Sequence, residues 1–189
     1  DKEGFFPNLE RKGNIRYFDE KTGLLTRGWR TDAKGYKYYY YSGSGVMATG
    51  WVQDKKSQRR YFSKANGRML TGWVENSAGN YRYFHPTSGI LYVGLQKVGE
   101  DYYYFSKTTG IRYEKGFGTV GSKKYYFDKN GHALKGMKRV GKDYYYFQAK
   151  YGYMMRHVRY MNSRDDVYYF GGDGVMVKKV FYTWSGNNE

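Results

Sequence analysis

The side chains best placed to do chemistry in this sequence are aromatic. Three tryptophans each follow a glycine, at Gly28-Trp29, Gly50-Trp51 and Gly72-Trp73, and pairs of Tyr and Phe recur behind them. Ring faces attract cations through the quadrupole of the π-system. They also stack on the C–H faces of sugars while polar neighbours hold the hydroxyls. Acid–base chemistry is poorly provided for. Asp32, Asp54, Asp128, Asp143 and Asp173 fall in turns, and no two carboxylates stand out as an acid/base couple. His85, His132 and His157 are too far apart for a metal signature. Gly171-Gly172-Asp173-Gly174 offers one carboxylate where a calcium loop uses several. The chain contains no Cys, which excludes disulfides, thiolate metal sites and a Cys nucleophile. The expectation is a noncatalytic binding protein with no cofactor and no metal.

The elements that position these rings are set by an internal repeat. The aromatic pairs read as Tyr17-Phe18, Tyr40-Tyr41, Tyr61-Phe62, Tyr83-Phe84, Tyr104-Phe105, Tyr126-Phe127, Tyr146-Phe147 and Tyr169-Phe170. A glycine follows each, at Gly23, Gly45, Gly67, Gly89, Gly110, Gly131, Gly152 and Gly174. Steps between pairs run 23, 21, 22, 21, 22, 20 and 23 residues. A second glycine closes most units, with His157 and Lys179 in its place in the last two. Each unit reads as a β-hairpin. Trp51-Val52-Gln53 is a strand, 55–58 a polar turn, Arg59–Phe62 the returning strand and Ala65-Asn66-Gly67 the turn out. Val98-Gly99-Glu100, Val120-Gly121-Ser122 and Val140-Gly141-Lys142 are tighter hairpin turns. No stretch carries a helical 3.6-residue stripe.

Leu, Ile, Val and Phe together supply only 33 of the 189 residues, too few for a large aliphatic core. The 25 tyrosines resolve the shortage: the core is aromatic. Lone hairpins are marginal in water, but a stack of them buries its rings between neighbours. The two rings of a pair must point to opposite faces of the strand. One therefore lines the core and the other serves contacts between repeats. Net charge is +16, shared equally by the two halves, which favours polyanionic partners. No apolar run is long enough to insert in a membrane. Asp1-Lys2-Glu3-Gly4 does not read as the start of a signal peptide, and with no initiator Met the expectation is a fragment or processed form.

The units resemble the cell-wall-binding, choline-binding repeats of Gram-positive bacterial surface proteins. They also resemble the related repeats of glucansucrase glucan-binding domains and of clostridial toxins. The likeness runs over residues 7–180 and is carried by Gly50-Trp51 to Gly72, Gly72-Trp73 to Gly94, Gly45-Val46-Met47 and Gly67-Arg68-Met69. It implies an all-β fold, a β-solenoid of about eight stacked hairpins of 20–23 residues. One repeat domain over 1–189 is expected. Its repeats lie at about 7–28, 29–50, 51–72, 73–94, 95–116, 117–136, 137–157 and 158–179, followed by a truncated unit at 180–189.

In the choline-binding form, the Gly-Trp indole and rings of a Trp-Tyr-Tyr strand make an aromatic cage lined by Met. Here the Gly-Trp position is Trp29, Trp51 and Trp73, then Leu95, Phe117, Met137, Val158 and Val180. The first ring of the Trp-Tyr-Tyr strand falls on Tyr38, Arg59, Tyr81, Tyr102, Lys124, Tyr144 and Val167, and on Ile15 in the first unit. Arg59 and Lys124 would repel a choline head and suit sugars or an anionic glycopolymer better. The resemblance thus nominates Trp29, Tyr38, Met47, Trp51, Tyr61, Met69, Trp73 and Tyr81 as ligand contacts. Tyr61, like its counterparts in every unit, reads first as architecture, and Met47, Met69 and Met176 read first as packing.

The function implied is attachment of a larger secreted protein to the bacterial surface through several weak aromatic sites. The partner would be a cell-wall glycopolymer, teichoic acid or related. An α-glucan is the alternative, then a host glycan, and a spacer with degenerate sites is the reading from another class. Basic residues beside rings, as in Arg59-Arg60-Tyr61, would suit single-stranded nucleic acid. No nucleic-acid motif accompanies them, and nucleic acid is not the expected partner.

Overall fold

The computed structural model describes residues 14–164 and 166–180. Residues 7–13 of the first expected repeat and 181–189 of the truncated unit lie outside them. The chain divides into two compact units, Asp1–Tyr92 and Val93–Glu189. Among the described residues every regular element is a β-strand, in agreement with the all-β expectation. Among them, no helix is long and apolar enough to cross a membrane.

In the first unit, three antiparallel hairpins follow one another. They are β1 (Gly28–Thr31) with β2 (Lys37–Tyr40), β3 (Gly50–Gln53) with β4 (Arg59–Phe62), and β5 (Gly72–Glu75) with β6 (Tyr81–Phe84). The second unit pairs β7 (Gly94–Val98) with β8 (Asp101–Phe105), β9 (Gly116–Val120) with β10 (Lys123–Phe127), and β11 (Gly136–Val140) with β12 (Asp143–Phe147). It ends in a three-stranded sheet, β13 (Val158–Met161), β14 (Val167–Phe170) and β15 (Met176–Val180).

Sequence chemistry explains the hairpins. Within the first unit Asp32, Asp54 and Asn76 open the turns, each side-chain oxygen accepting two backbone N–H bonds. The tight turns of the second unit start on Gly99, Gly121 and Gly141, all near φ +61° to +62°. Positive φ is strained for residues with a Cβ, which is why glycine stands there.

The core is a file of second rings. Phe62, Phe84, Phe105, Phe127 and Phe147 are at most 1% exposed. In β3–β4 the cross-strand partner of Phe62 is Gly50, and in β9–β10 that of Phe127 is Gly116. The first ring of each pair lies on the other face and is half-buried, as the alternation requires.

Two registers differ from the sequence reading. In the last repeat Val158 faces Phe170 and Arg159 faces Tyr169, so Arg159 rather than Val158 takes the place of the tryptophan. The other difference is in the second repeat. Gly28 pairs with Tyr40 and Trp29 with Tyr39, so the second repeat's aromatic pair is Tyr39-Tyr40 rather than Tyr40-Tyr41. Tyr40 takes the buried place, at 3% exposure, and Tyr41 starts the outgoing turn. The first position of the strand shifts with it, from Tyr38 to Lys37.

Stacking uses the backbone as well as rings. After each outgoing turn the chain makes one bridge to the strand it has left, as Met69 does with Phe62. The same residue donates its N–H to the preceding repeat. Met69 reaches Lys37 O at 2.8 Å and Leu91 reaches Arg59 O at 2.8 Å. In the second unit Ala133 reaches Tyr102 O at 2.8 Å and Met154 reaches Lys124 O at 2.6 Å. Within each unit the hairpins are therefore stacked in the β-solenoid manner.

Candidate functional site

The first residue after the closing glycine points out of the core. Trp29, Trp51 and Trp73 are 51%, 47% and 39% exposed. Each leans on the first ring of its own pair, with centroids 5.2 Å apart for Trp29–Tyr39, 5.1 Å for Trp51–Tyr61 and 5.0 Å for Trp73–Tyr83. Trp29 and Trp51 also meet the buried ring of the next repeat, Phe62 and Phe84, at 6.0 Å. Two ring contacts hold each of these indoles in place and leave part of its surface open to a ligand. In the second unit Phe117 stands at this position, 5.0 Å from Tyr126 and 5.3 Å from Tyr145.

Two clefts open beside Trp29. One, of about 410 Å³, is lined by Trp29, Thr31 and Lys37 of the 29–50 repeat, Arg60 and Met69 of 51–72, and Thr87 and Ser88 of 73–94. The other, of about 530 Å³, is lined by Trp29, Tyr39, Tyr41, the 52–56 turn, Arg60 and Phe62. Trp29 and Arg60 belong to both. Three successive repeats thus build the first cleft, each giving a different kind of group.

Basic side chains lie against the rings. The Arg60 guanidinium stands 5.6 Å from the Trp29 ring centroid, and Arg82 stands 5.6 Å from that of Trp51. In the second unit Lys124 Nζ is 4.5 Å from the Phe117 centroid. Arg60 is anchored on both sides. Its Nε donates to Ser88 O and its Nη1 to Asp54 Oδ2, both at 2.9 Å. The hydrogen bond from Arg60, and then those from Gln58 and Lys56 N–H, hold the Asp54 carboxyl below its ordinary pKa. Lys37 Nζ donates to Thr87 O at 2.9 Å across the mouth of the smaller cleft.

The nominated residues separate by role. Trp29 lines both clefts and Met69 the smaller one. Met47 is buried, with its sulfur against the outgoing turn at Gly67. Tyr38 lines neither cleft. Its hydroxyl donates to Asp32 at 3.0 Å, and burial pushes its pKa up, with the Asp32 bond adding to the shift. Tyr61 supports Trp51 edge-on. Trp73 leans on Tyr83, while the half-buried Tyr81 faces Glu75 across the hairpin. Sequence reasoning missed Lys37, Thr31, Thr87 and Ser88, and named Arg60 only as a basic residue suited to nucleic acid. The signal for Arg60 was available: Arg16, Arg60 and Arg82 recur in phase with the repeat, and Arg16 Nε donates to Ser44 O as Arg60 does to Ser88 O.

Stacked two-stranded units with solvent-facing indoles define an all-β hairpin-repeat protein. A choline-binding repeat matches residues 56–93, and a putative cell wall binding repeat matches 115–133 and 162–176. Over those segments the chain is similar to the repeats that the resemblance named. CbpJ from Streptococcus pneumoniae is similar in structure, with TM-score 0.73 and 25% identity over 87% of this chain and 56% of that one. Choline binding protein F from the same organism, solved in the presence of a peptidoglycan analogue, has TM-score 0.69 and 28% identity over 86% of this chain and 55% of that one. The chain therefore spans little more than half the length of these proteins. No curated protein sequence matches it significantly.

Proposed function

We propose that this chain is a noncatalytic wall-attachment module that holds a secreted or surface protein on a cell-wall glycopolymer of the teichoic-acid type. The observation that carries the reading is the Trp29 site. A held indole stands at a cleft assembled from three consecutive repeats, in a chain that matches a choline-binding repeat before its midpoint and a cell wall binding repeat after it. Ring faces suit both a quaternary ammonium, which cannot donate hydrogen bonds, and the C–H face of a sugar. Each such site is shallow and weak. Repetition makes later engagements effectively intramolecular, so a polymer ligand is held far more tightly than a monomer. The net charge of +16 adds long-range attraction to a phosphate-rich wall.

Retention on insoluble polymers tests this. Whole Gram-positive walls, walls stripped of teichoic acid, dextran and starch are compared at low and at about 0.5 M salt, where screening is nearly complete beyond a few ångströms. Salt-resistant retention on whole walls, lost on stripping and weakened by Trp29→Ala, Trp51→Ala or Trp73→Ala, is expected. Retention on dextran alone would replace the wall by an α-glucan. Retention that salt abolishes and the Trp changes leave unaltered would reduce the chain to a charged spacer.

A further inference from the structure

We propose that the cleft between Trp29 and the 84–89 turn is a subsite for an anionic sugar-phosphate group, and that Arg60 excludes choline from it. The inference rests on the wall-attachment reading and names the part of the polymer this site takes.

The cleft joins three kinds of group on one small surface. Trp29 supplies an apolar platform, Lys37 and Arg60 supply two cations, and Thr31, Thr87 and Ser88 are hydroxyl-bearing residues. Its volume of about 410 Å³ lies in the range of small-molecule sites and accommodates one sugar with its phosphate. The cations are positioned and keep donors in reserve. Lys37 Nζ uses one N–H on Thr87 O, which leaves two of an ammonium's three. Arg60 spends Nε on Ser88 O and Nη1 on Asp54. The Arg60 side chain is only 15% exposed, so its ordering is complete before a ligand arrives. Pre-ordered guanidinium groups pair strongly with phosphate through charge-assisted bonds.

Charge decides between the two ends of a phosphocholine-type ligand. Around Trp29 the two clefts bring together Lys37, Lys55, Lys56 and Arg60 against the single carboxylate of Asp54. A quaternary ammonium would have to share the Trp29 ring with the guanidinium already 5.6 Å from its centroid. Like charges at such a separation oppose binding. A phosphate meets complementary charge at the same place, with a sugar on the indole beside it. Single-stranded nucleic acid also joins phosphate to flat rings, but it needs successive stacking platforms along a groove. The cleft offers one indole and a set of hydroxyl-bearing side chains, which fits a sugar better than a run of bases.

The test is a titration of the whole chain with glycerol 3-phosphate, with choline chloride and with a single-stranded oligonucleotide, read by calorimetry at about 0.15 M salt. Arg60→Gln, Lys37→Gln and the control Lys129→Gln, an exposed lysine of the second unit, are compared after a thermal melt establishes folding. Glycerol 3-phosphate should bind the parent chain. Its affinity should fall about tenfold in each cleft variant, the scale of one charge-assisted bond, and stay unchanged in the control. Choline should bind Arg60→Gln more tightly than the parent, because the change uncovers the Trp29 face. A purely structural role for Arg60 would not produce that opposite movement. If Arg60→Gln does not fold, Lys37→Gln carries the phosphate arm. Equal loss in the control, tighter binding of the oligonucleotide, or choline binding in the parent that Arg60→Gln does not improve would each overturn the inference. Should whole walls retain the chain while glycerol 3-phosphate fails to bind, wall attachment stands and the phosphate subsite does not. Failure of retention on every wall removes both.

Discussion

Replacing Gly89 by Ala tests how the hairpins are locked together. Gly89 closes the outgoing turn of the 73–94 repeat at φ +65°. A Cβ there would lie 2.4 Å from Met69 Sδ and 2.8 Å from its Cε and Cγ, and Met69 is itself only 8% exposed. Two costs add. The left-handed backbone costs an L-residue about 1–2 kcal/mol, and overpacking a filled site costs about 1–3 kcal/mol more. Gly72→Ala separates them, because Gly72 has φ +69° but nothing within 4 Å of its would-be Cβ. The expectation is about 1–2 kcal/mol for Gly72→Ala and about 2–5 kcal/mol for Gly89→Ala. Met69→Ala, destabilising alone, should open the space and make the double variant less unstable than additivity predicts, by about 1–2 kcal/mol. Urea unfolding followed by tryptophan fluorescence in a Trp184→Phe background reads the first unit, which holds Trp29, Trp51 and Trp73, the other three of the four tryptophans. Equal costs at Gly72 and Gly89, or strict additivity with Met69→Ala, would refute the packing argument.

Three further outcomes are expected. Phe127→Ala removes a ring with no exposed surface and should cost about 3–5 kcal/mol in the same assay, followed by tyrosine fluorescence. Trp51→Ala loses its contacts with Tyr61 and Phe84 and should cost about 1–3 kcal/mol, less than the buried Phe, since the indole is half exposed. The Asp54 carboxyl titrates below its ordinary value of 3.8 because of its bond to Arg60. Its stabilisation is complete above that value and is lost as pH falls through the lowered one. Between about pH 5 and about pH 2.5 the parent chain should therefore lose more stability than Asp54→Asn. An identical pH dependence in the two would contradict this.

The period, the hairpins and the opposite facing of the paired rings were legible from the sequence, because strand alternation and turn chemistry act locally. The register of the second repeat was not read correctly. Tyr38, Tyr39, Tyr40 and Tyr41 form a uniform run in which nothing local marks the buried ring. A longer count marks it: the pair's first ring follows the tryptophan by ten residues in Trp51–Tyr61 and Trp73–Tyr83, and Trp29 then points to Tyr39. The tryptophans were legible as candidates. The cations, threonines and serine around Trp29 were not, because they come from three repeats and meet through the stacking. The closing place of the last repeat was misread by one residue: Val158, not His157, stands opposite the buried Phe170, and His157 takes the place of Lys115, both at positive φ.

The backward hydrogen bonds between repeats give assembly a direction. Within each unit the accepting carbonyls, Ile15, Lys37 and Arg59 in the first and Tyr102 and Lys124 in the second, precede their donors Met47, Met69, Leu91, Ala133 and Met154 in the chain. A ribosome therefore delivers every acceptor before the N–H that will meet it, about one and a half repeats ahead. A nascent unit can dock each new hairpin onto a template already outside the tunnel, and none of these backbone N–H groups must wait for an acceptor yet to be translated. Synthesis and stacking run the same way, so the array lends itself to co-translational growth, one hairpin at a time.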